Sequence, residues 1–80
     1  MSETELTVVV TGGGSGIGAA VCNLMRSAGH DVHVLDLKAH PDQSVTSHRC
    51  DVTDSRQLQE IADRIGPVDA LVLCAGINLR

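Results

Sequence analysis

The glycine-rich segment VVVTGGGSGIGAAV, residues 8–21, constrains the fold more than any other part of the sequence. Five of the seven residues from Gly12 to Gly18 are glycine, the residue that loses most conformational freedom on folding. The cluster follows a short run of apolar β-branched residues and precedes apolar residues at helical spacing. A glycine cluster between a strand and a helix is typical of an anion site, because the N–H groups at the helix N-terminus face the ligand.

Apolar periodicity predicts that strands and helices alternate along the rest of the chain. The first three predicted strands are residues 6–10, 31–37 and 48–52, and residues 68–76 are predicted to form the fourth strand and its turn. The apolar stripe of the first helix is Ile17, Val21, Leu24, Met25 and Ala28, and that of the second is Leu58, Ile61, Ala62 and Ile65. We expect Gly29 to end the first helix, Asp54 and Gln57 to form a capping box before the second, and Gly66-Pro67 to end it. Residues 38–47 are polar and too few for a crossover helix, so we expect a loop there.

This alternation predicts an α/β fold with a parallel sheet and right-handed crossovers. We expect part of a Rossmann-type doubly wound parallel sheet, with four strands in the order 3-2-1-4 and helices on both faces. A chain of 80 residues makes one small domain. Its core is built without Phe, Tyr or Trp, because the sequence contains none.

Composition and charge exclude several classes of function. The net charge of −4 argues against nucleic acid as a partner, since no basic patch is available to neutralise phosphates. No apolar run approaches the roughly 20 residues of a membrane span, and the polar N-terminus does not resemble a signal peptide, so we expect a cytoplasmic location. The three cysteines and four histidines lack the spacing of a disulfide framework or a metal site, so no metal is expected.

The glycines follow the spacing T-G-x-x-x-G-x-G from Thr11 to Gly18. A P-loop is excluded because Ala19 and Ala20, rather than Lys-Ser/Thr, follow the last glycine. Gly12 can supply the tight turn out of the strand, Gly16 the close approach of a pyrophosphate, and Gly18 close packing of the helix on the sheet. Gly13 and Gly14 are interpreted as only loosening the loop. The alternative is a glycine turn that binds nothing.

Two aspartates follow predicted strands. Asp36 closes the second strand 18 residues after Gly18, near the spacing of about 20 at which an acidic residue binds the ribose hydroxyls of a dinucleotide. The alternative is an ordinary exposed carboxylate at a strand end. Asp51 follows the third strand, where strand ends face the ligand crevice, although it could instead cap the turn DVTD.

The motifs TGGGSGIG, LDL, CDVTD and LVLCAG together resemble the N-terminal half of classical short-chain dehydrogenases/reductases, over residues 6–76. The resemblance implies a dinucleotide site in which Asp36 selects NAD, Asp51 meets the adenine amino group and Val52 packs on the adenine ring. The full set of cofactor-binding residues that it implies is Thr11, Gly12, Gly14, Ser15, Gly16, Ile17, Gly18, Asp36, Leu37, Asp51, Val52, Ala75 and Gly76.

The sequence departs from the family pattern in two places. The family's Asn-Asn-Ala-Gly turn corresponds to residues 73–76, where Leu73 and Cys74 replace both asparagines. The segment after Asp36 is also shorter than the helix that the family usually has there. Ser15 occupies the position where NADP-preferring members often carry a basic residue, which favours NAD, whereas Lys38 is the one nearby cation that keeps NADP open.

Family chemistry is hydride transfer between an alcohol or ketone substrate and the nicotinamide, with a tyrosine as general acid/base and a lysine beside it. The sequence has no tyrosine and its single lysine is Lys38, so we assign no catalytic residue and expect that chemistry downstream of Arg80. Residues 1–80 are therefore interpreted as the N-terminal dinucleotide-binding part of a Rossmann-fold domain, truncated before the catalytic half, and the full-length form is expected to be a homo-oligomer. The alternatives are a non-catalytic dinucleotide-binding or regulatory chain, and a purely structural one without ligand.

Overall fold

The computed structural model describes residues 5–12, 14, 16–42 and 44–74. Within these ranges the elements follow the predicted alternation of strand and helix. They are β1 (Thr7–Thr11), α1 (Gly16–Ser27), β2 (Asp31–Asp36), β3 (Thr46–Arg49), α2 (Ser55–Ile65) and β4 (Ala70–Leu73).

The four strands form one parallel sheet in the order β3-β2-β1-β4. This order and direction confirm the predicted fold. Val8 of β1 pairs with Val32 on one side and with Ala70 on the other. The chain therefore moves outward in one direction from β1 to β2 and β3, and then returns to the opposite side of β1 for β4.

The two faces of the sheet carry separate cores, because successive residues of a strand point to opposite faces. Val8 and Val10 lie in a buried cluster with Cys22 of α1. Val9 lies in a second cluster with Ile61 of α2. The helices thus cover opposite faces, as predicted, and the core consists mainly of small and β-branched residues.

The predicted apolar stripe of α1 is partly wrong. Gly18 and Cys22 are the buried residues of the helix, whereas Ile17 and Leu24 are 79% and 70% exposed. At about 100° per residue, Ile17 and Leu24 lie roughly a third of a turn or more from the line through Gly18 and Cys22. The helix is rotated so that Gly18 and Cys22 face the sheet, with Val21 and Met25 partly buried against the same cluster. The predicted end is confirmed, since Gly29 has a φ of 92° and donates its N–H to the Arg26 carbonyl at 3.0 Å.

Both predicted ends of α2 are confirmed, with one difference at its start. The Asp54 carboxylate accepts hydrogen bonds from the N–H groups of Arg56 and Gln57, and Gly66 ends the helix with a φ of 86°. In a reciprocal capping box Gln57 would accept from the Asp54 N–H. Here that N–H donates to the Asp51 carbonyl at 2.9 Å, so Gln57 Oε1 accepts instead from the Asp51 N–H at 3.0 Å.

The third strand begins and ends earlier than predicted. It was expected at residues 48–52 but occupies Thr46–Arg49. The Cys50 N–H still donates to the Asp36 carbonyl at 3.1 Å, after which the Asp51 side chain accepts from the Thr53 N–H and turns the chain. The apolar residues that suggested a longer strand thus lie in this turn. None of the helices in the described part of the chain is long and apolar enough to span a membrane.

Candidate functional site

The carboxyl ends of the parallel strands bring the predicted site residues to one edge of the sheet. Gly12 follows β1, Leu37 follows β2 and Asp51 lies just beyond β3. Because β2 and β4 flank β1 on opposite sides, the strand order reverses at β1. In open parallel sheets, ligands bind in the crevice at such a reversal point.

Gly12 makes the tight turn that the sequence predicted. Its φ is 74°, a left-handed conformation that costs other residues about 1–2 kcal/mol. Its N–H donates to the Leu35 carbonyl of β2 at 3.0 Å. The chain therefore leaves β1 while still bonded to the neighbouring strand, and the glycine loop begins directly above the end of the sheet.

Gly16 presents bare backbone at the start of α1. It has a φ of 62°, and a Cβ placed on it would find nothing within 4 Å. The first N–H groups of a helix have no carbonyl partner in the preceding turn. The space over Gly16 is therefore open, and the N-terminus of α1 can receive an anion there. Gly18, two residues further on, is buried against the sheet.

Gly14 has a larger role than the loosening of the loop that the sequence suggested, and that interpretation is wrong. A Cβ on Gly14 would overlap the Lys38 carbonyl oxygen and lie 2.8 Å from Asp36 Oδ2. The Gly14 N–H donates to the same Asp36 oxygen at 2.9 Å. Glycine is required here because the loop after β1 and the chain after β2 touch through their backbones.

The Asp36 carboxylate is part of this contact and points toward the glycine loop. Its Oδ2 accepts from the Gly14 N–H, and its Oδ1 accepts from the Lys38 N–H at 3.3 Å. Asp36 is half-buried. These contacts argue against an ordinary exposed carboxylate. The two hydrogen bonds hold the carboxylate in a defined position beside the glycine loop.

Asp51 is engaged in its own turn. Its Oδ1 accepts from the Thr53 hydroxyl at 2.6 Å and from the Thr53 N–H at 3.0 Å. The hydroxyl bond first, and the amide bond next, lower the pKa of Asp51 below its ordinary value. Its carboxylate is thus ionised and caps its own turn, as the alternative interpretation expected, while its place in the chain remains just beyond the carboxyl end of β3.

The remaining predicted site residues differ in exposure. Ile17 and Leu37 are 79% and 61% exposed, whereas Val52 is half-buried and packs against the cluster under α2. Thr11 is buried, and its hydroxyl lies 3.5 Å from the Val72 carbonyl, so it helps to join β1 to β4. The Cys74 N–H donates to the Thr11 carbonyl at 3.0 Å, which holds Cys74 beside the end of β1. Ser15, Ala75 and Gly76 lie outside the described residues.

Sequence reasoning missed His40. It lies in the connection between β2 and β3, is 6% exposed, and hydrogen-bonds to both α1 and β3. A single histidine in a polar loop carries no periodic signal, and its partners are distant in sequence.

Two other observations limit the chemistry of the described residues. Burial raises the pKa of the Cys22 and Cys50 thiols, so neither is an activated nucleophile. Within residues 5–74, apart from the three positions not described there, no three His, Cys, Asp or Glu side chains converge on a metal-binding point. The site consists of backbone amides and carboxylates, which suits binding rather than bond cleavage.

The comparisons with known proteins agree with this geometry. A family model described as short chain dehydrogenase matches residues 6–80. The 3-oxoacyl-[acyl-carrier-protein] reductase MabA of Mycobacterium tuberculosis is 36% identical over 76 residues, covering 90% of this chain and 31% of that protein. The short chain dehydrogenase/reductase AacuD of Aspergillus aculeatus is 32% identical over 93 residues, covering 96% of this chain and 32% of that protein.

Solved structures give the same result. The ligand-free aldohexose dehydrogenase of Thermoplasma acidophilum superposes with a TM-score of 0.80 at 29% identity, over 94% of this chain and 31% of that one. A short chain dehydrogenase of Leptospira borgpetersenii with bound NAD+ shares the fold, with a TM-score of 0.81 at 24% identity over 94% of this chain and 33% of that one. The chain spans about a third of the length of these relatives.

Proposed function

The chain belongs to the short-chain dehydrogenase/reductase family, and from this premise we propose that residues 1–80 form the N-terminal dinucleotide-binding part of an NAD-dependent oxidoreductase. The single observation that carries the proposal is that one glycine loop combines open space over the Gly16 backbone with a hydrogen bond that holds the Asp36 carboxylate. The first suits a pyrophosphate and the second suits a ribose, and a dinucleotide contains both groups.

The pyrophosphate would lie against the N-terminus of α1. A negative group is favoured there by the unpaired N–H groups and by the positive end of the helix dipole, typically by about 0.3–1 kcal/mol. Gly16 fits this role because a side chain on it would occupy the space that the phosphate oxygens need.

The adenosine ribose would bind the Asp36 carboxylate. An ionised carboxylate has about four acceptor positions on its two oxygens. Among the described residues, the N–H groups of Gly14 and Lys38 use two of them, which leaves two positions for the ribose hydroxyls. The existing bonds keep the carboxylate in place before the cofactor arrives, which reduces the entropy lost on binding.

The same carboxylate supports NAD over NADP. A 2′-phosphate would place further negative charge beside Asp36, and at about 4 Å two unit charges near a protein surface repel by roughly 4 kcal/mol before screening. Lys38 is the nearby cation that could offset this repulsion. Because Lys38 is exposed, solvent would weaken its ion pair with the phosphate.

The chain's own residues bind and orient the cofactor; the bound nicotinamide supplies the hydride chemistry. The sequence contains no tyrosine, so the general acid/base of the family is assigned to residues beyond Arg80 in the full-length protein. An alcohol or ketone substrate, a homo-oligomeric full-length form and a cytoplasmic location complete the proposal.

Calorimetric titration tests the proposed function directly. The chain, with its folded state verified by circular dichroism, is titrated separately with NAD, NADP and ADP-ribose. We expect saturable binding of NAD, saturable binding of ADP-ribose because it contains the groups that this part of the fold contacts, and weaker binding of NADP. A folded chain that gives no saturable heat with NAD or ADP-ribose would refute the proposal, and tighter binding of NADP would refute the assigned selectivity.

A further inference from the structure

His40 forms hydrogen bonds to α1, to β3 and to its own loop between β2 and β3. Its backbone N–H donates to Ser47 Oγ of β3 at 3.0 Å. Its Nδ1 accepts from the Asp42 N–H at 2.9 Å, and its Nε2 donates to the Ala19 carbonyl of α1 at 3.3 Å. A carbonyl only accepts and an amide N–H only donates, so both ring bonds form together when the hydrogen is on Nε2 and Nδ1 is bare.

These bonds hold the connection between β2 and β3 against α1. Among the described residues of this connection, His40 and Val45 are buried, at 6% and 3% exposure. Val45 lies in the apolar cluster between α1 and the sheet, near the start of β3. His40 is nearer to the candidate site in the chain. Its Nε2 hydrogen bond to the Ala19 carbonyl joins this connection to α1.

Only three residues separate His40 from Asp36, so the placement of His40 restricts the backbone next to Asp36. Lys38 lies midway between the two residues, and its N–H donates to Asp36 Oδ1. The Lys38 carbonyl fits so closely over Gly14 that a Cβ there would overlap it. With the chain fixed at His40 on one side and at the end of β2 on the other, Lys38 has little freedom to leave this contact.

We propose that His40 is a positioning residue for Asp36: by hydrogen-bonding to the Ala19 carbonyl, it holds residues 37–40 against the glycine loop and so fixes the carboxylate where it accepts from the Gly14 N–H. The consequence for cofactor selectivity rests on the proposed function. When residues 37–40 are released, the carboxylate can rotate into solvent, which removes acceptors from the ribose and lessens the repulsion of a 2′-phosphate.

A matched set of variants separates this role from general stability. His40→Gln retains an amide N–H donor that reaches the region of Nε2, whereas His40→Asn retains only a shorter side chain whose oxygen can replace Nδ1. His40→Ala removes both groups. Val45→Ala weakens the same connection by a cavity in the apolar cluster and leaves every hydrogen bond of His40 in place. If the alanine variant at position 40 fails to fold, the Gln and Asn variants still answer the question.

The first readout needs no cofactor. Amide hydrogen exchange of the Gly14 N–H is measured by NMR relative to the core Val34 N–H in the same sample. We expect exchange at Gly14, relative to Val34, to rise about tenfold in His40→Asn and His40→Ala, the scale of one lost bond to a charged group, and to stay within about threefold of wild type in His40→Gln and Val45→Ala. Equal acceleration of both amides in every variant would overturn the proposal, because it would mean a loss of global stability alone.

The second readout is the ratio of NAD to NADP affinity by calorimetry. We expect this ratio to fall about tenfold in His40→Asn and to be restored in His40→Gln. An unchanged ratio in His40→Asn, in a chain that binds NAD, would overturn the effect on selectivity. A wild-type chain that binds neither nucleotide would overturn the proposed function instead, and the Gly14 exchange result would then decide the positioning role by itself.

Discussion

Substitution of Gly16 by alanine tests whether the pyrophosphate of the cofactor lies against the backbone at the start of α1. The change adds one methyl group at the start of α1, in a space where nothing lies within 4 Å. Gly29 is a matched control, because it also has a positive φ, of 92°, and open space around the added Cβ. It ends α1, away from the candidate site.

The two variants, Gly16→Ala and Gly29→Ala, should lose similar stability. A left-handed backbone costs a non-glycine residue about 1–2 kcal/mol, and the smaller conformational entropy of unfolded alanine returns about 0.4–1 kcal/mol. We therefore expect each variant to lose roughly 1 kcal/mol of unfolding free energy. Such a loss is substantial for a domain of this size, so folding of each variant is verified before binding is measured.

Only Gly16→Ala should lose affinity for NAD. The methyl group would displace the pyrophosphate from the amides at the start of α1, and a hydrogen bond to a charged group contributes about 1.5–3 kcal/mol. The dissociation constant of NAD should then rise about 10- to 100-fold, with little change in Gly29→Ala.

The assay combines urea unfolding with calorimetric titration on the same preparations. Equal NAD affinity in Gly16→Ala and Gly29→Ala, at equal stability, would refute the placement of the pyrophosphate. A stability loss confined to Gly16→Ala would refute the use of Gly29 as its equivalent.

Two further predictions concern charge. Asp36→Asn should lower NAD affinity and shift the NAD-to-NADP ratio at least about tenfold toward NADP, whereas Asp63→Asn, which removes the same charge on the exposed side of α2, should leave the ratio unchanged in calorimetry; an equal shift in both variants would point to net charge alone. His48→Gln should flatten the pH dependence of unfolding. Burial first, and then the neighbouring His33 and Arg64, lower the pKa of His48, and His33 Nδ1 lies 2.9 Å from His48 Nε2. Because the folded pKa is the lower one, the stability contributed by neutral His48 is complete above about pH 6.5 and is lost as the pH falls through the folded value. Urea unfolding between about pH 7.5 and about pH 5 tests this, and the same slope in wild type and His48→Gln would contradict it.

Local patterns were sufficient to predict most of the fold. The alternation of β-branched runs with helical stripes gave the element order, and Asp54, Gly29 and Gly66 marked helix ends that depend only on nearby residues. The errors arose where tertiary packing, rather than local sequence, determines which residues are buried. The exposure of Ile17 and Leu24 depends on how α1 is rotated on the sheet, which the stripe alone did not determine.

The candidate site was predictable to the same degree. Spacing identified the glycine loop and Asp36, because both belong to a motif that is local to one strand–helix–strand unit. The contact of Gly14 with Lys38 and the bond of His40 to Ala19 join residues that are more than 20 positions apart. Neither contact has a periodic signature, so only the three-dimensional arrangement reveals them.

The central claim is that the carboxyl edge of the sheet binds a dinucleotide through the glycine loop and Asp36. An NMR titration of the isotope-labelled chain with NAD tests it at each amide. The account predicts saturable shifts that are largest at Gly12, Gly14, residues 16–18 and residues 36–38. Shifts that are largest at the opposite edge, around Asp31 and Asp69, or that are absent from a folded chain at saturating NAD, would contradict it.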